Sequence, residues 1–283
     1  MNDTPPPAPR LFGQHVVTPA SGPDERVTFL VWGKSGCGKT ALASTLPGRI
    51  LWIGFDPDGE KTIAGASHVD FIGMAGALPD AVPQFAEGEV YERQLGDMLR
   101  ARPEIKSVVV DSMTSYAQLC LTYAITSGKA GGGKFKSTMD NPGPTAYGIR
   151  NRNTLTFVRM VLRVTARFNR HCMFICHEDE PEKQADDKGQ LQIIKITLLL
   201  GGTLPGELPL QISEVWFMRD NGIRRELFMR PFGVTVPMKT RMFRTDKKSV
   251  IPWTYNMYDG TGSTVAQWID QWYTGGPGYK LPL

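Results

Sequence analysis

Gly33-Lys34-Ser35-Gly36-Cys37-Gly38-Lys39-Thr40 follows the pattern G-x-x-x-x-G-K-[ST], which belongs to loops that wrap phosphate groups. Each part of the pattern has a physical reason. The glycines let backbone N–H groups turn inward on phosphate oxygens, and a helix starting directly behind the loop adds the positive end of its dipole. A lysine in the place of Lys39 reaches the β- and γ-phosphates, and a hydroxyl in the place of Thr40 suits a Mg2+ ligand. The pattern carries weight only between a strand and a helix. Both are legible: Val27 to Trp32 is a short β-type run, and Lys39 to Leu46 is built of helix formers. A glycine-rich turn with an incidental lysine would not bring that context. The cofactors expected here are therefore ATP and Mg2+.

Working outward, the apolar run Ile50 to Phe55 is closed by Asp56, Pro57, Asp58 and Gly59, a cluster of turn formers. Ser107 to Val110 is a buried β-branched run that ends in Asp111. A carboxylate at the end of a strand downstream of such a loop suits the Mg2+ shell, so Asp111 joins Thr40 as an expected metal ligand. Hydrolysis also needs a group that orients or deprotonates water. Asp56 is the candidate, with Asp58 and Glu60 behind it; an ordinary polar turn is the competing reading.

Further along, His68 to Met74, Cys172 to Cys176 and Leu191 to Leu200 read as strands, and Val90 to Ala101, Tyr116 to Thr126 and Gly148 to Asn169 as helices. Glu214 to Arg219 and Arg225 to Met229 form an expected antiparallel pair around Asp220-Asn221-Gly222. Glu178 to Gly189 reads as a charged loop. The expected fold is α/β: a mostly parallel sheet flanked by helices, with antiparallel strands added in the last third. Residues 1–25 read as a proline-rich leader, 26–259 as the main domain and 260–283 as a tail with a weak helix.

Bulk properties exclude more than they assign. A net charge of +4 does not by itself argue for nucleic acid, so local charge has to decide. Four cysteines without a CxxC pair fit a reducing cytosol and argue against structural zinc. No apolar run approaches a membrane span, and no signal core is visible, so a cytoplasmic location is expected.

Between Asp140 and Glu178 there is no acidic residue, while Arg150, Arg152, Arg159, Arg163, Arg167 and Arg170 all lie there. The last four share one stripe of a helix, where like charges repel unless something anionic faces them. A nucleic-acid backbone, the acidic face of a neighbouring subunit and plain solvent are the alternatives. The glycine-rich loop before this helix carries Lys129, Lys134, Phe135 and Lys136, cations and an aromatic that could follow a single strand and stack a base. Arg150 and Arg152, the helix residues nearest to it, join the loop as expected DNA contacts.

Taken together, WGKSGCGKTALASTLP, WIGFD, VVVDSMTSY and FICHE resemble the RecA-like P-loop ATPase core over roughly residues 26 to 245, and more specifically the phage-encoded RecA-like ATPases associated with single-strand annealing and recombination. The resemblance implies an ATPase, stimulated by DNA, that acts on single-stranded DNA and self-associates into a ring or filament. A single-strand DNA-binding protein is a further partner it suggests. It gives Asp56 the role of acting on water, although the usual residue is Glu. It makes His177 a sensor of the γ-phosphate and sets the 128–136 loop where the first DNA-binding loop falls. The second such loop would begin at Glu178, yet here it is acidic. Met238-Lys239-Thr240-Arg241 resembles a K-x-R finger reaching a neighbouring subunit, with Lys239 and Arg241 on one side of an extended strand. An ATP-switched binding protein with negligible turnover and a partition-type or regulatory P-loop ATPase remain alternatives; a small-molecule kinase fits less well.

Overall fold

Val27 to Trp32 has no apolar-in, polar-out alternation, and a strand of this kind must be covered on both faces. The computed structural model, which describes residues 11–12, 15–16, 26–82, 89–127, 138–186, 189–244, 250–256, 260–276 and 278–282, bears this out. In chain order its elements are β1 (Leu11–Phe12), β2 (His15–Val16), β3 (Thr28–Gly33), α1 (Lys39–Ala43), β4 (Arg49–Gly54), α2 (Gly59–Ile63), β5 (Val69–Gly73), α3 (Glu89–Ala101), β6 (Ile105–Asp111), α4 (Met113–Thr126), α5 (Pro144–Arg167), β7 (His171–His177), β8 (Glu182–Ala185), β9 (Leu191–Lys195), α6 (Leu204–Glu207), β10 (Glu214–Asp220), β11 (Arg225–Phe228), β12 (Val250–Trp253) and α7 (Val265–Thr274).

Eight strands form one sheet in the order β12-β11-β10-β3-β7-β6-β4-β5. From β10 to β5 every neighbouring pair is parallel, while β11 and β12 join antiparallel at one edge. This is the α/β fold of a P-loop NTPase, with the antiparallel addition where the sequence places it. All six residues of β3 are buried. One face of the sheet packs on α3, α4 and α5 through Leu95, Leu99, Tyr116, Phe157 and Val161; the other packs on α1, α2 and α7 through Leu42, Ile63 and Trp268. Trp32, Trp52, Trp216 and Trp253 are among the largest fully buried side chains, and burying each large apolar side chain contributes roughly 1.5–3 kcal/mol.

Two stretches differ from their sequence reading. The charged segment after Glu178 is not all loop: β8 pairs antiparallel with β9 as a separate hairpin, and every residue of β8 is exposed. A polar strand in solvent has no hydrophobic alternation, so nothing in the sequence marks it. The helix expected in residues 260–283 is present as α7, but it is no loose tail: its Val265, Trp268 and Ile269 are buried and its Trp268 ring lies 5.9 Å from that of Trp216. A Thr264–Gln267 capping box opens this helix. Of residues 1–25, β1 and β2 form a short antiparallel ladder. No helix among the described residues is long and apolar enough to cross a membrane.

Candidate nucleotide site

Four parallel strands end at the same edge of the sheet, and their order brings the expected residues together. β3 runs into the glycine-rich loop, β7 beside it ends at His177, β6 ends at Asp111 and β4 leads to Asp56. Register fixes the heights: Gly33 is level with His177, and Gly54 with Asp111. In the loop, Gly38 adopts φ 103° as the residue before α1, a conformation only glycine takes without strain. Gly33 lets the backbone of β10 approach at Met218.

Lys39 is 5% exposed. Its ammonium donates to the carbonyl oxygens of Gly33 at 2.9 Å and Lys34 at 2.7 Å, spanning the base of the loop. The Thr40 hydroxyl donates to Asp111 Oδ2 at 3.1 Å. Asp56 is the most heavily bonded acid of the edge: Oδ1 accepts from Ser112 Oγ at 2.7 Å and Ser115 Oγ at 2.5 Å, and Oδ2 accepts from His177 Nε2 at 3.1 Å. Because a carboxylate only accepts, Nε2 carries the imidazole proton. The His177 backbone N–H is held in turn by Thr114 Oγ1 at 3.0 Å. Ser112 is the N-cap of α4, so one hydroxyl both starts that helix and fixes Asp56.

The two acids differ in electrostatics. Burial pushes the Asp56 carboxyl up, but the hydrogen bonds from His177, Ser115 and Ser112 together outweigh it and hold the group at about 2. For Asp111, burial and then the Asp56 charge push it up to about 6, against the Thr40 hydroxyl and Lys39. A buried carboxylate next to a hydroxyl, with a second acid behind, is a hard-oxygen pair of the kind Mg2+ takes together with phosphate oxygens. Thr40 and Asp111 therefore fit that ion.

Beside the loop lies a cavity of about 440 Å³, bounded by Lys34 to Cys37 and by Glu178, Phe217, Asp220, Phe232 and Thr235. Ser35 and Gly36 are exposed at its rim, and Cys37 is buried.

The other expected residues lie elsewhere. Lys239 pairs through its backbone with Val215, and the Arg241 N–H donates to Glu214 Oε1 at 2.6 Å. Both therefore sit at the start of β10, whereas the loop borders its far end. The segment is no regular strand: Lys239 makes an isolated bridge, so the two-residue alternation expected of Lys239 and Arg241 does not apply. Lys239 is half-buried, and burial foremost, with Arg241 beside it, pulls its ammonium down.

Arg150, an expected DNA contact, is instead buried, 6% exposed. It lies over the Tyr147 ring at 4.8 Å, bonded to Asn151 Oδ1 and packed on Gly201 and Gly202. A guanidinium with a five-donor fork and an aromatic neighbour can be carried inside, which helix periodicity alone does not reveal. Arg152 is exposed. Lys129, Lys134, Phe135 and Lys136 lie outside the described residues. Of the arginine stripe, Arg163 meets acid within the same chain in a two-pronged pair with Glu92 of α3, Arg159 donates to the neutral Gln211 amide, and Arg170, which lies beyond the helix end at Arg167, donates to the Pro103 carbonyl.

Ser112, Thr114 and Ser115 were missed in the sequence, although a serine after the strand-end Asp with another three residues on is a readable helix-start signal. A family model described as an AAA domain matches residues 25–252, which include every site residue named above. No curated protein matches the chain.

Proposed function

The chain belongs to the AAA domain family, and on that premise we propose that it binds ATP with Mg2+ in the Gly33 to Thr40 loop, hydrolyses it, and couples the nucleotide state to single-stranded DNA in recombination or replication. The observation that carries the ATPase reading is the meeting of Thr40 and Asp111 at 3.1 Å, with the Asp56–His177 pair on the neighbouring strand ends.

In this reading the loop amides and Lys39 cradle the β- and γ-phosphates, and Thr40 and Asp111 hold the metal. When bound, Mg2+ would neutralise charge on the phosphate oxygens. Attack by water forms a bond from its oxygen to the γ-phosphorus and breaks the bond to the bridging oxygen, giving ADP and phosphate. Asp56, held at about 2, is a weak proton acceptor at neutral pH, so its part is to orient the water and to fix the His177 ring at the end of β7, beside the phosphate-binding loop. The three donors that saturate Asp56 also favour a second reading: an ATP-switched protein with slow turnover. Steady-state phosphate release by wild type and Lys39→Ala, with and without single-stranded DNA, decides. DNA-stimulated turnover lost in the variant supports coupling; equal, negligible rates beside tight ATP binding support the switch.

The DNA part rests on the sequence of residues 128–136 and on exposed Arg152. Binding to a single strand should weaken with salt by about 0.7 in log K per log salt for each neutralised phosphate. Replacing Lys129, Lys134 and Lys136 together should flatten that slope, and an unchanged slope would remove the loop from the contact. For self-association, exposed Arg241 serves a neighbour's nucleotide and not its own, since it lies at the opposite end of β10. Arg241→Ala mixed with Lys39→Ala should regain turnover if subunits pair that way; additive inactivity argues against it.

A further inference from the structure

Three arginines crowd the β10–β11 hairpin, and they are not equivalent. Arg219 donates to Glu226 Oε2 at 2.8 Å and lies over the Phe228 ring at 5.0 Å. Arg224 donates to Glu226 Oε1 at 3.1 Å. One carboxylate thus holds both. Arg225 is paired in register with Asp220 and Trp253, and alternation turns it to the opposite face of β11 from Glu226. There its ion pair with Asp220 is long, 3.9 Å, and its guanidinium carbon is 5.9 Å from the centre of the Trp253 ring.

On that face it meets the phosphate loop. Arg225 Cδ and Nε lie 2.9 Å from the point where a side chain on Gly38 would begin. Gly38 is required by its left-handed backbone, and the end of the Arg225 side chain is laid against the space that the absent Cβ leaves. The side chain is 36% exposed, so it is largely held in place while keeping a face for an anion. Burial pushes the neighbouring Cys37 thiol up, and Lys39 and Arg225 both pull against it, so the charge of Arg225 is felt inside the loop.

We propose that Arg225 is a nucleotide-contacting residue acting within its own subunit, its guanidinium engaging the phosphate chain on the Gly38 side of the loop. The planar fork of a guanidinium matches phosphate oxygens, and the weak pairing with Asp220 leaves it free to do so. This rests on the ATP-binding reading above. It adds a cation that the K-x-R segment, at the other end of β10, cannot supply to the same site. A contact to the phosphates that ATP and ADP share acts on binding more than on the chemical step.

The test is direct titration of ATP and of ADP into wild type, Arg225→Met and Arg225→Lys, with phosphate release at saturating ATP and melting curves of each protein without nucleotide. Arg225→Met should lose about 10- to 100-fold in affinity for both nucleotides, Arg225→Lys should recover part of it, and nucleotide-free melting should stay within a few degrees of wild type. Unchanged affinities overturn the inference. So does a fall in turnover at saturating ATP with affinity intact, or a low melting temperature that accompanies the affinity loss and that lysine does not relieve. Wild type binding neither nucleotide would remove the ATP reading itself, and Arg225 with it, before any Arg225 variant is compared.

Discussion

The two opposite ends of the parallel strands each bury a carboxylate, Glu214 where β10 begins and Asp111 where β6 stops, and the two are treated in opposite ways. At the start of β10, Glu214 is fully buried and accepts four hydrogen bonds: from Trp216 Nε1 at 2.9 Å, Thr240 Oγ1 at 2.5 Å, and the backbone N–H groups of Arg241 at 2.6 Å and Met242 at 3.3 Å. At the loop end, Asp111 is 4% exposed with one side-chain donor, the Thr40 hydroxyl. Burial pushes both acids up, but neutral donors meet the first from several sides and a second acid faces the other. A carboxylate with its donors assembled is a structural rivet, whereas one crowded by another acid is the group a cation relieves.

The largest effect expected from that contrast is functional. Lys39→Ala removes the cation at the loop end and should lower ATP turnover by on the order of 10³ or more, read by phosphate release, with the far-end network and far-UV signal unchanged. Retained turnover would move the nucleotide away from this end. Next comes Glu214→Gln, which turns donors against donors in a buried site. It should destabilise by roughly 2–4 kcal/mol in urea melts while sparing turnover per folded molecule; a stable variant with altered ATP affinity would erase the distinction between the two ends.

Asp111→Asn should act in the opposite direction on stability. Because the folded group titrates at about 6, above its ordinary 3.8, the folded protein binds the extra proton between those values, so stability falls as pH rises through that window. Without nucleotide, the asparagine variant should lose this slope and be more stable than wild type at pH 7.5 by on the order of 2 kcal/mol. It should also lose the Mg2+ dependence of ATP binding. Parallel melting curves from pH 4.5 to 7.5 that keep the wild-type slope in the variant would assign the titration to another group.

The smallest effect belongs to Ser115→Ala. It removes one of three donors from Asp56, whose low value contributes stability above pH 3.8 that is lost as pH falls towards 2. The variant should lose about 1 kcal/mol at pH 7 and change turnover only a few-fold. A loss as large as that of Lys39→Ala would make Ser115 part of the chemistry.

The phosphate loop, the strand-end acids and His177 were legible because each lies where a hydrophobic run meets a turn, a junction that local chemistry marks. Their meeting was legible too, since parallel strands with helical crossovers bring their C-terminal ends to one edge. The β8–β9 hairpin and the inward turn of Arg150 were not, as exposed polar strands and snorkelling cations carry no periodic signal. Nor was the contrast between the two acids, which depends on donors from Thr240 to Met242, twenty-six and more residues after Glu214 in the chain.

By itself, then, the amino-acid sequence determined the α/β class, the phosphate-binding loop and the identity of the acids at its edge, because those follow from short-range patterns of glycine, apolar residues and charge. Only the tertiary structure decided that Asp56 is saturated by His177, Ser112 and Ser115, that Arg241 lies at the far end of β10 and that Arg225 lies against Gly38. Each of these is a contact between residues 56 to 187 positions apart or a matter of which end of a strand a segment reaches, and such geometry is set by packing the sheet and not by any local run of residues.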